Sequence, residues 1–263
     1  MIKLLIFYLA QVAQLVEQAT ENRCVGGSIP PLGTFVFFLI SILLLTSCEK
    51  KNDFYPDKQG MTWNYQISLS SDYTESTKHM RMTVTNINTV YGGKGISFSK
   101  LYSNGDLLTF FKDKNNNQFS RIAAFYSRNN GLNEPVIKVI NPSLNFEALK
   151  WKNNNQLFFT KGFQPPLRGF IPSATFEMDF EIVSKEVMIK VKAGIFKNCI
   201  YVKGKGDTEF IADTRSRPNK VNVSSEEWIC PNVGIVKQNR TESTNSSAFG
   251  TQKYLKELIS VTQ

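Results

Sequence analysis

Histidine is almost missing from this chain: His79 is the only one in 263 residues. A multi-histidine metal site therefore cannot be built, and a proton-shuttling triad would have to use His79 itself. His79 stands in a Thr/Lys-rich stretch just before Met80, where a surface position is expected. The usual phosphate-loop, nucleophile-elbow and zinc-helix patterns are also missing. Asp113-Lys114-Asn115-Asn116-Asn117 opens like a calcium loop. Gln118 stands where that loop needs Gly, and Ala124 where it needs a bidentate carboxylate, so a polar turn is expected. No apolar run reaches the roughly 20 residues that span a bilayer. From residue 48 onward there is no long amphipathic helix and no repeat of fixed period. These absences point away from an enzyme and away from a bound cofactor or metal.

What is present begins with an address. The apolar run Phe35–Leu45 is followed by Thr46-Ser47-Cys48. Its length suits the core of a secretory signal. Leu45-Thr46-Ser47-Cys48 resembles the lipobox of bacterial lipoproteins: an aliphatic residue, two small residues that fit a narrow protease cleft, then a cysteine. The resemblance implies cleavage before Cys48 and lipidation of its sulfur, with palmitate among the acyl groups. Several acyl chains make a stable membrane anchor where one is marginal. Glu49 after the cysteine, rather than Asp, implies by the same resemblance the outer membrane, with the domain facing the periplasm. An ordinary cleaved signal peptide or a short inner-membrane anchor is the alternative. The basic segment expected before the apolar core is missing. Residues 11–34 resemble a mistranslated transfer-RNA gene, so Met1–Thr34 is expected to be a non-native extension. The alternative there is an amphipathic helix over Leu4–Ala19.

Four cysteines are present. Cys24 lies in the suspect extension and Cys48 is the lipid site. Cys199 and Cys230 remain, an even pair in a compartment that permits disulfides, and a bridge between them is expected. The net charge is +9, and removing the first 47 residues leaves it unchanged because Lys3 and Arg23 are matched by Glu17 and Glu21. The lysines are scattered, as on a solvated surface. Anionic lipid head groups are a conceivable partner; nucleic acid is not expected at a secreted address.

The expected tether, residues 48–58, leads into period-two alternation, the mark of half-buried strands. Trp63, Tyr65, Ile67 and Leu69 share one face, and Met80, Met82 and Val84 another. Further strands are expected at Gly95–Tyr102, Leu107–Lys112, Phe119–Ser127, Gln156–Lys161, Cys199–Lys203, Glu227–Cys230 and Gly234–Arg240. Tyr254–Val261 reads as a strand or as a helix, and Phe146–Trp151 as a helical turn or a strand. Turns are expected at Gly92–Gly95, Asn104-Gly105-Asp106, Asn115–Asn117 and Asn153–Asn155. Phe176–Val191 reads as a hairpin. With Ser184-Lys185 as its turn, Asp179 would face Lys190 and Glu177 would face Lys192. The fold class is mainly β: one antiparallel curved sheet over residues 59–263, forming an open barrel or a sandwich.

Three segments carry a family resemblance. Tyr55-Pro56 with Gly60-Met61-Thr62-Trp63-Asn64-Tyr65, Ala193–Cys199, and Trp228–Lys237 resemble, in order, motifs of uncharacterised bacterial lipoproteins. The departures are Met61, Ile195 and Cys230. The resemblance implies an all-β envelope domain without an established activity. Physically the motifs read as structure: Trp63 fills a core, Gly194 and Gly234 permit tight turns, and Pro231 ends a strand. The leading functional expectation is a non-enzymatic structural or interaction module that docks another envelope component. The second is a carrier of lipid or lipoprotein acyl chains, with Phe110, Phe111, Phe119, Phe125, Phe158, Phe159, Phe176 and Phe180 as the wall of a cavity. An enzyme comes third. The loop Gly162–Phe170 reads as a partner-binding loop or as an ordinary crossover.

Overall fold

In the computed structural model the described residues are 52–92, 95–113, 115, 118–125, 140–141, 149–158, 162–165, 167–213 and 217–262. Cys48, the apolar signal segment and Met1–Thr34 lie outside them, as do Cys24 and Phe159. Among the described residues there are twelve strands: β1 (Thr62–Ser71), β2 (Thr74–Gly92), β3 (Gly95–Tyr102), β4 (Leu107–Asp113), β5 (Phe119–Phe125), β6 (Ile140–Asn141), β7 (Lys150–Gln156), β8 (Thr175–Val191), β9 (Gly194–Phe210), β10 (Asn219–Cys230), β11 (Gly234–Thr244) and β12 (Thr251–Thr262). They form one sheet in the order β6-β5-β4-β3-β2-β1-β12-β11-β10-β9-β8-β7. Every neighbour pair is antiparallel. The chain thus meanders up and down, and its first and last strands, β1 and β12, pair with each other. The result is a barrel left unclosed at one seam, between β6 and β7. No helix occurs among the described residues.

Alternation sets which side of each strand faces inward. Phe176, Met178, Phe180 and Ile182 of β8 are buried, and the residues between them are exposed. They pack with Ile200, Val202, Val221, Val223, Ile229 and Phe249 in one core cluster. Each such side chain contributes roughly 1.5–3 kcal/mol on burial. Gly204 and Gly206 of β9 make room for these residues. A Cβ on Gly204 would lie 2.7 Å from the Phe180 ring, and one on Gly206 2.7 Å from Met178. A second cluster fills one end of the barrel with Met61, Trp63, Val191, Val233, Val236, Leu258 and the Cys199–Cys230 pair. Those two cysteines are joined by a disulfide across the start of β9 and the end of β10.

Five local expectations are corrected. Ser184-Lys185 is not a turn; β8 runs through it with three bulges, and the hairpin turns at Lys192-Ala193, between Val191 and Gly194. The observed turn is followed by Gly194 at φ 135°, a conformation that glycine adopts freely and that Ser and Lys adopt poorly. The acidic face of β8 meets different lysines as a result. Asp179 lies opposite Lys152 and Lys205, and Glu181 opposite Lys150 and Lys203. Asn153–Asn155 is strand β7, not a turn, because Asn155 faces inward and accepts from Arg240 Nη1 at 3.3 Å. The strand expected at Gln156–Lys161 ends at its first residue: Phe158 donates its N–H to Glu242 instead of to a neighbouring strand. His79 lies within β2, opposite Ser68, not in a loop before it. The stretch expected to be a free tether is docked from Asn52 on. Phe54 is buried, Asp53 accepts from the Asn232 N–H at 2.6 Å, and Lys112 reaches Asp53 at 2.7 Å. For the ambiguous C-terminal segment, pairing with both β1 and β11 makes β12 a strand. Of Phe146–Trp151, Lys150 and Trp151 are strand and residues 146–148 lie outside the described ones.

Candidate functional site

The concave face of the sheet is not closed by its own side chains. Two adjoining cavities, about 200 Å³ and about 330 Å³, share Tyr55, Tyr102, Phe110, Phe119, Glu227 and Ile229 among their walls. The larger is walled by residues of β7, on one side of the seam, and of β5, next to the edge strand β6 on the other, including Phe119, Trp151, Asn153 and Asn155.

Alternation aims the aromatic wall. Phe98 and Phe110 face each other on β3 and β4, and Phe119 enters from β5. Their rings form a run: Phe98–Phe110 at 5.8 Å, Phe110–Phe119 at 4.9 Å, then Tyr55 stacked on Phe119 at 4.3 Å. Tyr55 comes from the docked N-terminal segment, which is why that segment matters to the site. Phe180 carries Trp151 stacked at 5.5 Å on the far wall.

Three charged side chains line the smaller cavity, and Arg121 of β5 lines the larger one. Lys100 lies between Phe98 and Tyr102 on the inward side of β3, with Nζ 4.2 Å from the centroid of Trp63. Lys256, between Tyr254 and Leu258 on β12, sits 4.2 Å over Tyr65. Glu227 of β10 accepts from Gln238 Nε2 at 2.9 Å. Lys100 and Lys256 keep part of their surface because they face the cavity, but protein surrounds them. Neither forms a salt bridge within 4.0 Å with a described residue. Desolvation pulls the Lys100 ammonium down to about 7, and Lys256 nearby pushes the same way, against Asp53 and Asp57. Desolvation brings Lys256 to about 8, opposed by Glu227. Glu227 is raised by burial, with Lys256, Gln238 and Arg240 opposing. The phenols of Tyr65 and Tyr254 are held well above their ordinary range, chiefly by burial. Trp151 Nε1 is buried against the larger cavity without a hydrogen-bond partner among the described residues. Donors and cations thus outweigh acceptors here, and rings fill the space between them.

No family model and no curated protein matches this chain. Two solved structures are similar to it. One is a protein described as exported, with a YmcC-like fold, from Bacteroides fragilis. It is 14% identical, with 81% of this chain and 100% of that chain covered and a TM-score of 0.46. The other is described as a lipoprotein, from Parabacteroides distasonis. It is 15% identical, with 80% of this chain and 99% of that one covered and a TM-score of 0.44.

The sequence-level candidates separate into groups. Cys199 and Cys230 form their disulfide at the barrel end, away from the larger cavity's lining. Phe110, Phe119, Phe158 and Phe180 line the larger cavity. Phe176 belongs to the packed core and Phe125 is exposed. The loop around Gly162–Phe170 joins β7 to β8, which are hydrogen-bonded neighbours, so it is a hairpin connection and not a crossover between the sheet's halves. Phe163 donates to the Ala248 carbonyl at 2.8 Å, and Phe170 packs on Phe210 and Phe249. Lys100, Lys256, Glu227 and Gln238 were not among the sequence candidates. Their signal was present: Phe98-x-Lys100-x-Tyr102 and Tyr254-x-Lys256-x-Leu258 each set a lysine in the apolar register of a strand.

A buried ion pair lies apart from these lysines. Arg240 Nε donates to Glu242 Oε1 at 2.8 Å, with side-chain exposures of 3% and 2%. Arg240 also donates to the Gln156 carbonyl at 2.8 Å and covers the Phe158 ring at 4.1 Å. Its hydrogen bonds all go to protein, so the pair fastens the end of β7 to β11. Among the described residues no group of three or more His, Cys, Asp or Glu could hold a metal ion.

Proposed function

We propose that this is a non-enzymatic envelope protein, anchored in the outer membrane through lipid on Cys48, that binds an acidic amphiphile in its barrel. The best-fitting ligand is an acyl chain ending in a carboxylate or similar monoanion. The lipobox supports the anchor, and the cavity supports the binding role over docking of a protein partner. One observation carries the choice of ligand. Lys100 and Lys256 lie among aromatic rings without a facing carboxylate salt bridge, at a cost that an incoming anion would offset. Apolar walls with a few convergent polar groups are the usual make-up of a small-molecule site.

The anchor is tested by clickable-palmitate labelling of the wild type and Cys48→Ala, with membrane fractionation. Label and membrane location are expected to vanish in the variant. The cavity is tested by displacement of a fluorescent fatty acid with palmitic acid and with its methyl ester. Saturable binding of the acid, and at least tenfold weaker binding of the ester, are expected from one charge-assisted hydrogen bond. Lys100→Met should erase that preference. Equal binding of acid and ester would refute the ligand assignment.

A further inference from the structure

The β8–β9 hairpin overhangs its neighbours. β9 pairs with β10 only from Ile200 onward, so residues 187–199 extend past the end of β10. The overhang folds across the end of the barrel toward β12. Ala193 donates its N–H to the Leu258 carbonyl at 3.1 Å, and Lys192 N–H donates to Glu257 at 3.1 Å. Ile189 and Phe196 face inward and pack on the end cluster. The alternate residues face out: Met188 is 65% exposed and Ile195 61%. Lys190 is exposed opposite Ile195, and Lys192 and Lys197 are exposed beside them. Between residues 185 and 197 the only acidic residue is Glu186. Bare apolar side chains among lysines, on a pinned element, suit an interface of head groups and acyl chains.

The place where the chain leaves the domain fixes which surface that is. Asp53 is bonded to Asn232, in the turn just after Cys230, and Cys230 is bridged to Cys199 at the base of the overhang. Cys48 precedes Asn52 by four residues, a reach of at most about 14 Å. A lipid on Cys48 therefore holds the bilayer at the end of the barrel that carries the hairpin tip. Ile211 is equally exposed at 61%, but it lies past the opposite end of β9. Sixteen residues of strand separate it from Ile195, on the order of 50 Å.

We infer that the β8–β9 tip, through Met188, Ile195, Lys190 and Lys197, docks on the anionic leaflet that holds the Cys48 lipid. The domain is thereby held barrel-end down on the membrane instead of swinging on its tether. This rests on the lipid-anchor assignment above. It does not depend on what the cavity binds.

The lipidated protein is recovered from membranes and reconstituted in phosphatidylethanolamine/phosphatidylglycerol vesicles, with and without acyl-chain-brominated lipid. Ile195→Trp and Ile211→Trp are compared with the wild type, whose own tryptophans set the background. For Ile195→Trp the structure predicts a blue-shifted emission and extra quenching by bromine; for Ile211→Trp it predicts neither. Met188→Trp repeats the test on the facing strand. In the Cys48→Ala background, Lys190→Glu with Lys197→Glu should lower partition onto these vesicles tenfold or more. Flotation and palmitate label without extra quenching at 195 or 188 would overturn the docking and leave the anchor standing. Quenching at 211 in place of 195 would overturn it as well. Loss of both label and flotation would remove the anchor, and the docking with it.

Discussion

Lys100 gives the sharpest test of the barrel interior, because its cost depends on pH in a direction the structure fixes. Below pH 7 the ammonium is charged in both folded and unfolded chains, and its desolvation counts in full against folding. A fall from 10.5 to about 7 corresponds to an upper bound of about 4–5 kcal/mol. Lys100 faces an open cavity, so solvent screening reduces this to about 2 kcal/mol. Between pH 7 and 10.5 the folded chain holds fewer protons at this site than the unfolded chain does. Stability therefore rises with pH across that window. Lys256, lowered to about 8, adds a term of the same sign between pH 8 and 10.5. Tyr65 and Tyr254 act the other way. They keep protons in the fold that the unfolded chain releases above about pH 10, so the rise should turn over there.

Lys100→Met keeps the length of the side chain and removes the charge. It should stabilise the protein at pH 6 by about 2 kcal/mol, or roughly 4–8 °C in Tm for a domain of this size. The gain should shrink toward zero by pH 10. Urea and thermal unfolding at pH 6, 8 and 10, with the disulfide intact, measure this directly. A variant less stable than wild type at pH 6, or a difference that does not change with pH, would refute the account of Lys100. A stabilising substitution that erases the preference for the acid over its ester would also separate function from fold at a single residue.

Two further perturbations probe what holds the barrel. Cys199→Ser with Cys230→Ser should cost about 3–4 kcal/mol by the chain-entropy model for a loop of 31 residues, read as a drop in urea midpoint with a steeper slope, because the unbridged unfolded chain is more expanded. Arg240→Met should cost about 3–5 kcal/mol, because Glu242 stays buried with its Phe158 N–H but without its cation. Arg240→Met with Glu242→Leu should cost less than that single change, a non-additivity that a double-mutant cycle by urea unfolding detects.

Much of the fold was legible because period two is a strong signal when one side of a strand is buried. Trp63-x-Tyr65-x-Ile67 and Phe176-x-Met178-x-Phe180-x-Ile182 each fixed a strand and its inward face. Connections were harder. Ser184-Lys185 looked like a turn because the apolar alternation falters there, but a bulged strand falters in the same way. Glu186, at φ 61°, takes up the extra residue without reversing the chain. The Asn153–Asn155 run has turn composition, yet β11 supplies an arginine for one of its amides, and no local rule foresees a partner 85 residues away. The docked segment was hidden for a related reason. Its composition is polar, but Phe54 and Tyr55 find the barrel end only once β10 and β11 have made their turn. The cavity aromatics could be listed but not sorted into lining and core, since that depends on the curvature of the whole sheet.

The interior lysines bear on function because the fold does not need them. The two halves of the meander are joined by the β1–β12 pairing, the barrel end is held by the disulfide and Trp63, and the β7–β11 junction by Arg240 and Glu242. Phe98, Tyr102, Tyr254 and Leu258 already provide the packing on either side of positions 100 and 256. An apolar residue at either place would leave that alternation intact and remove a desolvation cost. Sequences that break the local pattern against their own stability do so most often at working sites. Both lysines break it toward the same cavity, and both lie over an aromatic face with no carboxylate salt bridge. A structural ion pair would have had its acid beside it, as Arg240 has Glu242. Glu227 shares their cavity and acts on Lys256 without forming a salt bridge to it, and the direct ion pair that both lysines lack is what the proposed ligand would supply.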